Sequence, residues 1–95
     1  MKFTDLNFEN FNYLDSADAV QAKHFFPNGY GVSVVRHPGS YGFLEGLYEL
    51  AVLKGVEDDW ELCYDTPVTS DVLGRLSEQN VEDVVLEVQS LSPNE

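Results

Sequence analysis

The sequence predicts an α+β domain: an antiparallel four-stranded meander, five-stranded if the N-terminal segment adds an edge, with a C-terminal helical segment packed on one face. Three observations predict it. "AVQAKHFFPNGYGVSVVRH" alternates in period two on both sides of Asn28-Gly29, the pattern of a hairpin. "LYELAVLK" and "WELCYD" continue strand-like apolar patterning. The last third then changes to a helical period. Ninety-five residues make one domain, divided into an N-terminal segment (1–17), a sheet (18–66), a helical segment (69–91) and a loose tail (92–95).

The N-terminal segment, "MKFTDLNFENFNYLD", alternates polar and aromatic residues, with Phe3, Leu6, Phe8 and Phe11 as core fillers of an edge strand. In the hairpin, Val20, Ala22, His24 and Phe26 alternate with Gln21, Lys23 and Phe25; after the turn Val32 and Val34 alternate with Ser33, Val35 and His37. Asn28-Gly29 suits a two-residue type I′ turn, which needs positive φ at both positions. Pro27 stands beside the turn, where its missing N–H removes no ladder bond.

The third strand carries apolar residues on both faces, Tyr48, Leu50 and Val52 against Leu47, Ala51 and Leu53, and is expected in the middle of the sheet. The fourth alternates Trp60, Leu62 and Tyr64 with Glu61, Cys63 and Asp65, which assigns the first three to the core and the others to water. Gly55 to Asp59 is a connection of hairpin length. Thr66-Pro67 stops the sheet. Ser70 is an N-cap candidate for a short helix over 71–76, and Ser77 for a second beginning at Glu78. Val81, Val84, Val85, Val88 and Leu91 then form an apolar stripe at helical spacing.

Charge narrows the function classes. Seventeen acids stand against five bases, a net charge of −12. From Glu57 onward there are eleven acids and one base, Arg75, so −10 of that charge sits on the last 39 residues. No basic stripe is present to displace counterions from DNA or RNA, or to bind an anionic membrane. The sign favours basic partners, and it also favours plain solubility. The single cysteine, Cys63, excludes an internal disulfide. No stretch approaches the ~20 apolar residues of a membrane span, and the N-terminus lacks the apolar run of a signal peptide, so a cytoplasmic location is expected.

Chemistry is weakly signalled. Glu57, Asp58, Asp59 and Glu61 offer oxygen ligands but lack the spacing of a calcium loop, so no metal or other cofactor is expected. Glu61 and Asp65, four apart on one strand face, would hold their Cβ atoms about 13 Å apart, too far for a glycosidase pair. Cys63 between them would have its thiol pKa raised by carboxylates, the wrong direction for a nucleophile. His24 and His37 have no local signal pairing them with it. No enzyme is expected, since no nucleophile, base and orienter are visible together.

Two binding surfaces remain. "RHPGSYG" combines Arg36, His37, Ser40 and Tyr41 in a Gly-containing turn that could hold a nucleotide-like anion, though it lacks the Lys-Ser/Thr of a P-loop. The other is an acidic surface built from Glu57, Asp58, Asp59, Glu61, Asp65, Glu78, Glu82, Asp83 and Glu87. Glu78 and Glu82, and Asp83 and Glu87, stack like charges one helical turn apart at about 6 Å, comparable to phosphates along a strand. That is the physical basis of DNA mimicry. If one sheet face stays open, Phe25, Val35, Leu47 and Leu53 form an apolar patch suited to a homodimer.

Taken together, "FPNGYGVSVVRHPGSYG", "GLYELAVLKG" and "LCYDTPVTSDVLGRLSEQNVEDVV" resemble a family of short proteins from tailed phages and prophages, over about residues 22 to 88. The "NGYG" turn, the "SYG" loop and the "CYDTP" to "DVLG" junction carry the resemblance; the acidic "VEDDWE" connection is longer than that family's loops. The resemblance supplies no activity and no catalytic residue. It implies phage or prophage origin and expression in the bacterial cytoplasm. By analogy with small acidic phage proteins, it implies action on a basic groove of a host protein, such as a nucleic-acid-binding or defence enzyme.

Overall fold

The computed structural model describes residues 2–10, 19–38, 40, 42–64, 66 and 72–92. Among them six strands form one antiparallel sheet: β1 (Glu9–Asn10), β2 (Val20–Phe25), β3 (Tyr30–Arg36), β4 (Tyr48–Val56), β5 (Asp59–Leu62) and β6 (Leu73–Leu76). One helix, α1 (Glu78–Gln89), follows and packs on the sheet, so the chain has the predicted α+β architecture. The strands lie in the order β1-β2-β3-β4-β5, with β6 also paired to β4.

The first hairpin forms where the alternation places it, but its loop is one residue longer than a type I′ turn. Phe26 N–H donates to the Tyr30 carbonyl at 2.8 Å, and Gly29 N–H to the Phe26 carbonyl at 3.2 Å. The loop is therefore Pro27-Asn28-Gly29. Pro27 presets φ for the first turn position, and only Gly29 (φ 85°) takes the left-handed conformation. The proline that looked merely tolerated beside the turn decides its type.

β4 shares its outer edge between two strands. β5 pairs with Leu53–Val56 and β6 with Tyr48–Leu50. Between them Cys63 N–H donates to the Val52 carbonyl at 2.8 Å. β5 and β6 are thus two pieces of one edge. Residues 73–76, expected in a helix over 71–76, are strand; four residues are too few for periodicity to separate the two, and β4's open edge takes them. Ser70 and Asp71 lie outside the described residues. The sheet thus extends past 66 to Leu76, and the helix is confined to Glu78–Gln89.

One face of the sheet meets α1. Val32 and Val34 of β3 stand opposite Val52 and Leu50 of β4, and all four are buried. From the helix Val81, Val85 and Val88 complete this core, with Val84 and Leu91 at its margin. Each fully buried valine contributes roughly 1.5–2 kcal/mol as an upper estimate. The N-terminal segment closes the same core: Leu6 is buried, and Phe3 and Phe8 stack against Tyr48 at 5.2 and 5.6 Å. β1 is the edge strand expected there, paired to β2 through Glu9 and Asn10; Phe11 lies outside the described residues.

Ser77 caps α1 as its position predicts. Its Oγ accepts from Asn80 N–H, and Asn80 Oδ1 accepts from Ser77 N–H, both at 3.1 Å. Ser77→Ala should cost about 1 kcal/mol, read as a lower urea midpoint with unchanged slope. At the other end no basic residue occupies the last turn. The carbonyls there are met by the β2–β3 turn: Asn28 Nδ2 lies 2.9, 3.2 and 3.1 Å from the carbonyl oxygens of Val88, Gln89 and Leu91. Asn28 Oδ1 meanwhile accepts from Tyr30 N–H at 3.1 Å. One side chain shapes the hairpin and caps the helix.

The second face is not left open. Lys23 of β2 places its ammonium 5.2 Å from the centroid of the Trp60 ring on β5. Glu57, at the tip of the β4–β5 ribbon, lines one cleft with Glu9 of β1, although strands four places apart in a flat sheet lie about 19 Å from one another, so the ribbon curls across this face. Leu53 is accordingly 0% exposed although it points away from the helix. Phe25 lays its ring over Gly31, its cross-strand partner. The open apolar patch of Phe25, Val35, Leu47 and Leu53, expected to serve a homodimer, is therefore closed at Leu53, and its remaining members are half-buried.

Candidate functional site

The β4–β5 ribbon presents exposed apolar side chains together with exposed carboxylates. Its loop is only Glu57-Asp58, since Val56 pairs directly with Asp59. Neither loop residue has positive φ, so the turn lacks the primed geometry that matches strand twist. The distortion falls on Gly55, at φ 130°. There a Cβ would strike the Asp59 carbonyl oxygen and come within 2.9 Å of Trp60 Cα. This bend directs the ribbon over the sheet, where Glu57 shares a cleft with Asn7, with Glu9 of β1 and with Lys23 of β2.

The faces of β5 are the reverse of the expectation. Cys63 is 5% exposed and belongs to the helix-side core; Trp60, Leu62 and Tyr64 are 38, 48 and 45% exposed. Alternation alone is symmetric and cannot say which set is inward. Pairing decides it: a two-residue loop at 57–58 sets Leu62 opposite Leu53 and brings Cys63 beside Val52, on the face that α1 covers. Counting that register from the loop is the signal that would have found the exposed stripe. Glu57, Asp58, Asp59 and Glu61 are all exposed around it, and Asp65 lies outside the described residues.

Glu78, Glu82, Asp83 and Glu87 stand on α1, on the side of the sheet to which Asp59 and Glu61, alternating with Trp60 and Leu62, also belong, whereas Glu57 lies in the cleft beside β1 and β2. Glu82 is engaged in packing, accepting from Phe3 N–H at 2.6 Å. Asp83 accepts from Gln79 Nε2 at 3.0 Å, an i, i+4 bond that offsets part of its repulsion by Glu87. Glu78 lies near Tyr48, whose phenol pKa is raised by burial and by that carboxylate, against a lowering influence from Arg36.

The Arg36 loop turns its polar groups inward. Arg36 Nη2 donates to the Phe43 carbonyl at 3.1 Å, and its guanidinium sits 4.8 Å from the Phe43 ring. Ser40 is 8% exposed; its Oγ donates to the His37 carbonyl at 2.8 Å and accepts from His37 N–H at 3.1 Å. His37 Nδ1 lies 3.0 Å from the Pro38 carbonyl. These groups build the turn. Tyr41 lies outside the described residues.

His24 and Cys63 share one cross-strand row, but Val32 and Val52 stand between them. His24 packs edge-on against Phe26 at 4.9 Å. Among the described residues no three of His, Cys, Asp and Glu gather where they could hold a metal, and no helix is long and apolar enough to cross a membrane. The chain matches no protein-family model, no curated protein and no solved structure.

Proposed function

We propose that this is a phage-encoded, non-enzymatic binding protein that engages a basic surface of a host protein in the bacterial cytoplasm. The observation that carries the reading is the β4–β5 ribbon. Trp60 and Leu62 on β5, and Tyr64 just beyond it, are exposed next to the exposed carboxylates Glu57, Asp58, Asp59 and Glu61. Aromatic anchors within a charged rim are the composition of a binding hot spot. The net charge of −12 would speed encounter with a basic partner and make it salt-sensitive. The helix acids Glu78, Asp83 and Glu87 add to this long-range field rather than to the contact surface. The inward-facing donors of the Arg36 loop give the nucleotide-binding alternative no support.

Affinity capture from bacterial host lysate tests the reading, followed by binding of the purified partner. Reversing Glu57, Asp58, Asp59 and Glu61 to Lys should weaken that binding by at least about tenfold at low salt and flatten its salt dependence. Reversing Glu78, Asp83 and Glu87 should change mainly the association rate. Partners held equally well by both variants would contradict the reading.

A further inference from the structure

We infer that the outer edge of β5 is a docking strand for an extended segment of the partner, one that alternates basic and apolar residues and adds to the sheet. The inference rests on the functional reading above and goes further in fixing how the contact is made.

The backbone carries the argument. In an antiparallel pair, residues alternate between directing N–H and C=O at the partner strand and directing them away. Cys63 N–H bonds to the Val52 carbonyl, so Cys63, Glu61 and Asp59 direct their backbone groups at β4. Trp60 and Leu62 therefore direct theirs outward. Among the described residues no strand pairs with that side of β5. The two residues with outward backbone groups are also those with exposed apolar side chains, Trp60 at 38% and Leu62 at 48%.

Charge selects the occupant. An added strand would set apolar residues beside Trp60 and Leu62 and basic residues beside Asp59 and Glu61, and opposite charges across strands are favourable. A second copy of this chain is disfavoured. The antiparallel register that pairs Trp60 with Leu62 of the copy sets Glu61 against Glu61. The same carboxylates thus keep the edge from pairing with itself and leave it open to a cationic strand.

The test uses the whole protein and the peptide acetyl-Lys-Val-Lys-Val-Lys-Val-amide. Binding should be salt-sensitive, and amide exchange at Trp60 and Leu62 should slow by at least about tenfold, while Asp59 and Glu61, already bonded to β4, change little. N-methylating the peptide amides of one alternate set should abolish binding, and methylating the other set should not. Binding without protection at Trp60 and Leu62, or equal tolerance of both methylation patterns, would overturn strand addition while leaving an acidic contact surface intact. No binding at low salt would overturn it as well; the charge-reversal experiment with the captured partner then judges the functional reading by itself.

Discussion

Gly55→Ala should destabilise the protein by about 3 kcal/mol, through positive-φ strain and steric conflict together. At φ 130° an L side chain is strained in any surroundings, and here its Cβ would also strike the Asp59 backbone. A domain of this size has only ~5–15 kcal/mol in total, so the thermal midpoint should fall by more than 10 °C. The effect should also be local. Trp60 is the only tryptophan, and its ring sits by the Lys23 ammonium only because the ribbon curls. A straightened ribbon moves that ring into water, so emission of the folded variant should shift to the red. Lys23→Met, which removes the cation and keeps the glycine, should cost about 1 kcal/mol or less. A Gly55→Ala variant with the parent's midpoint and emission would refute the bend described at this residue.

Asn28→Asp should be nearly as damaging, although a turn by itself accepts either residue. Asp keeps the oxygen that accepts from Tyr30 N–H, but replaces the amide donor with a carboxylate beside the carbonyls of Val88, Gln89 and Leu91. The negative end of the helix dipole lies there, with no base in the last turn to offset it. We expect a loss of about 2–3 kcal/mol at pH 7, against about 1–2 for Asn28→Ala. The carboxyl in the variant should have a folded pKa raised above its unfolded value. Its penalty is therefore absent at low pH and develops as pH rises past the ordinary aspartate value of about 4. The gap to the parent protein should narrow below that pH. An Asp variant as stable as the parent at pH 7 would mean that Asn28 serves the turn only.

These two positions show where the sequence was legible. The β2–β3 hairpin was readable because alternation on both flanks and a turn signal agree, and α1 because Ser77 and five apolar residues fix one cap and one stripe. Asn28 was readable as a turn residue. Its role as a helix cap was not, because the carbonyls it meets are about 60 residues further along. The inversion of Trp60 and Cys63 has a different origin. Hydrophobicity favours burying tryptophan over cysteine, yet register outweighs it once Leu62 is bound to stand opposite Leu53. Glu57, Asp58, Asp59 and Glu61 were identified as a charged ribbon from sequence, whereas their association with an exposed apolar stripe needed the pairing.

The Asn28 tie also constrains the order in which the chain can assemble. A 12-residue helix with four acids and no base is marginal in isolation, and its far end stays uncapped until the β2–β3 turn exists. That turn is local and can close early, whereas joining it to the helix closes a loop of some 60 residues at an entropic cost that only the finished valine core repays. The helix is therefore a late, dependent element. It consolidates on a preformed hairpin, so sheet and helix should appear and disappear as one cooperative unit.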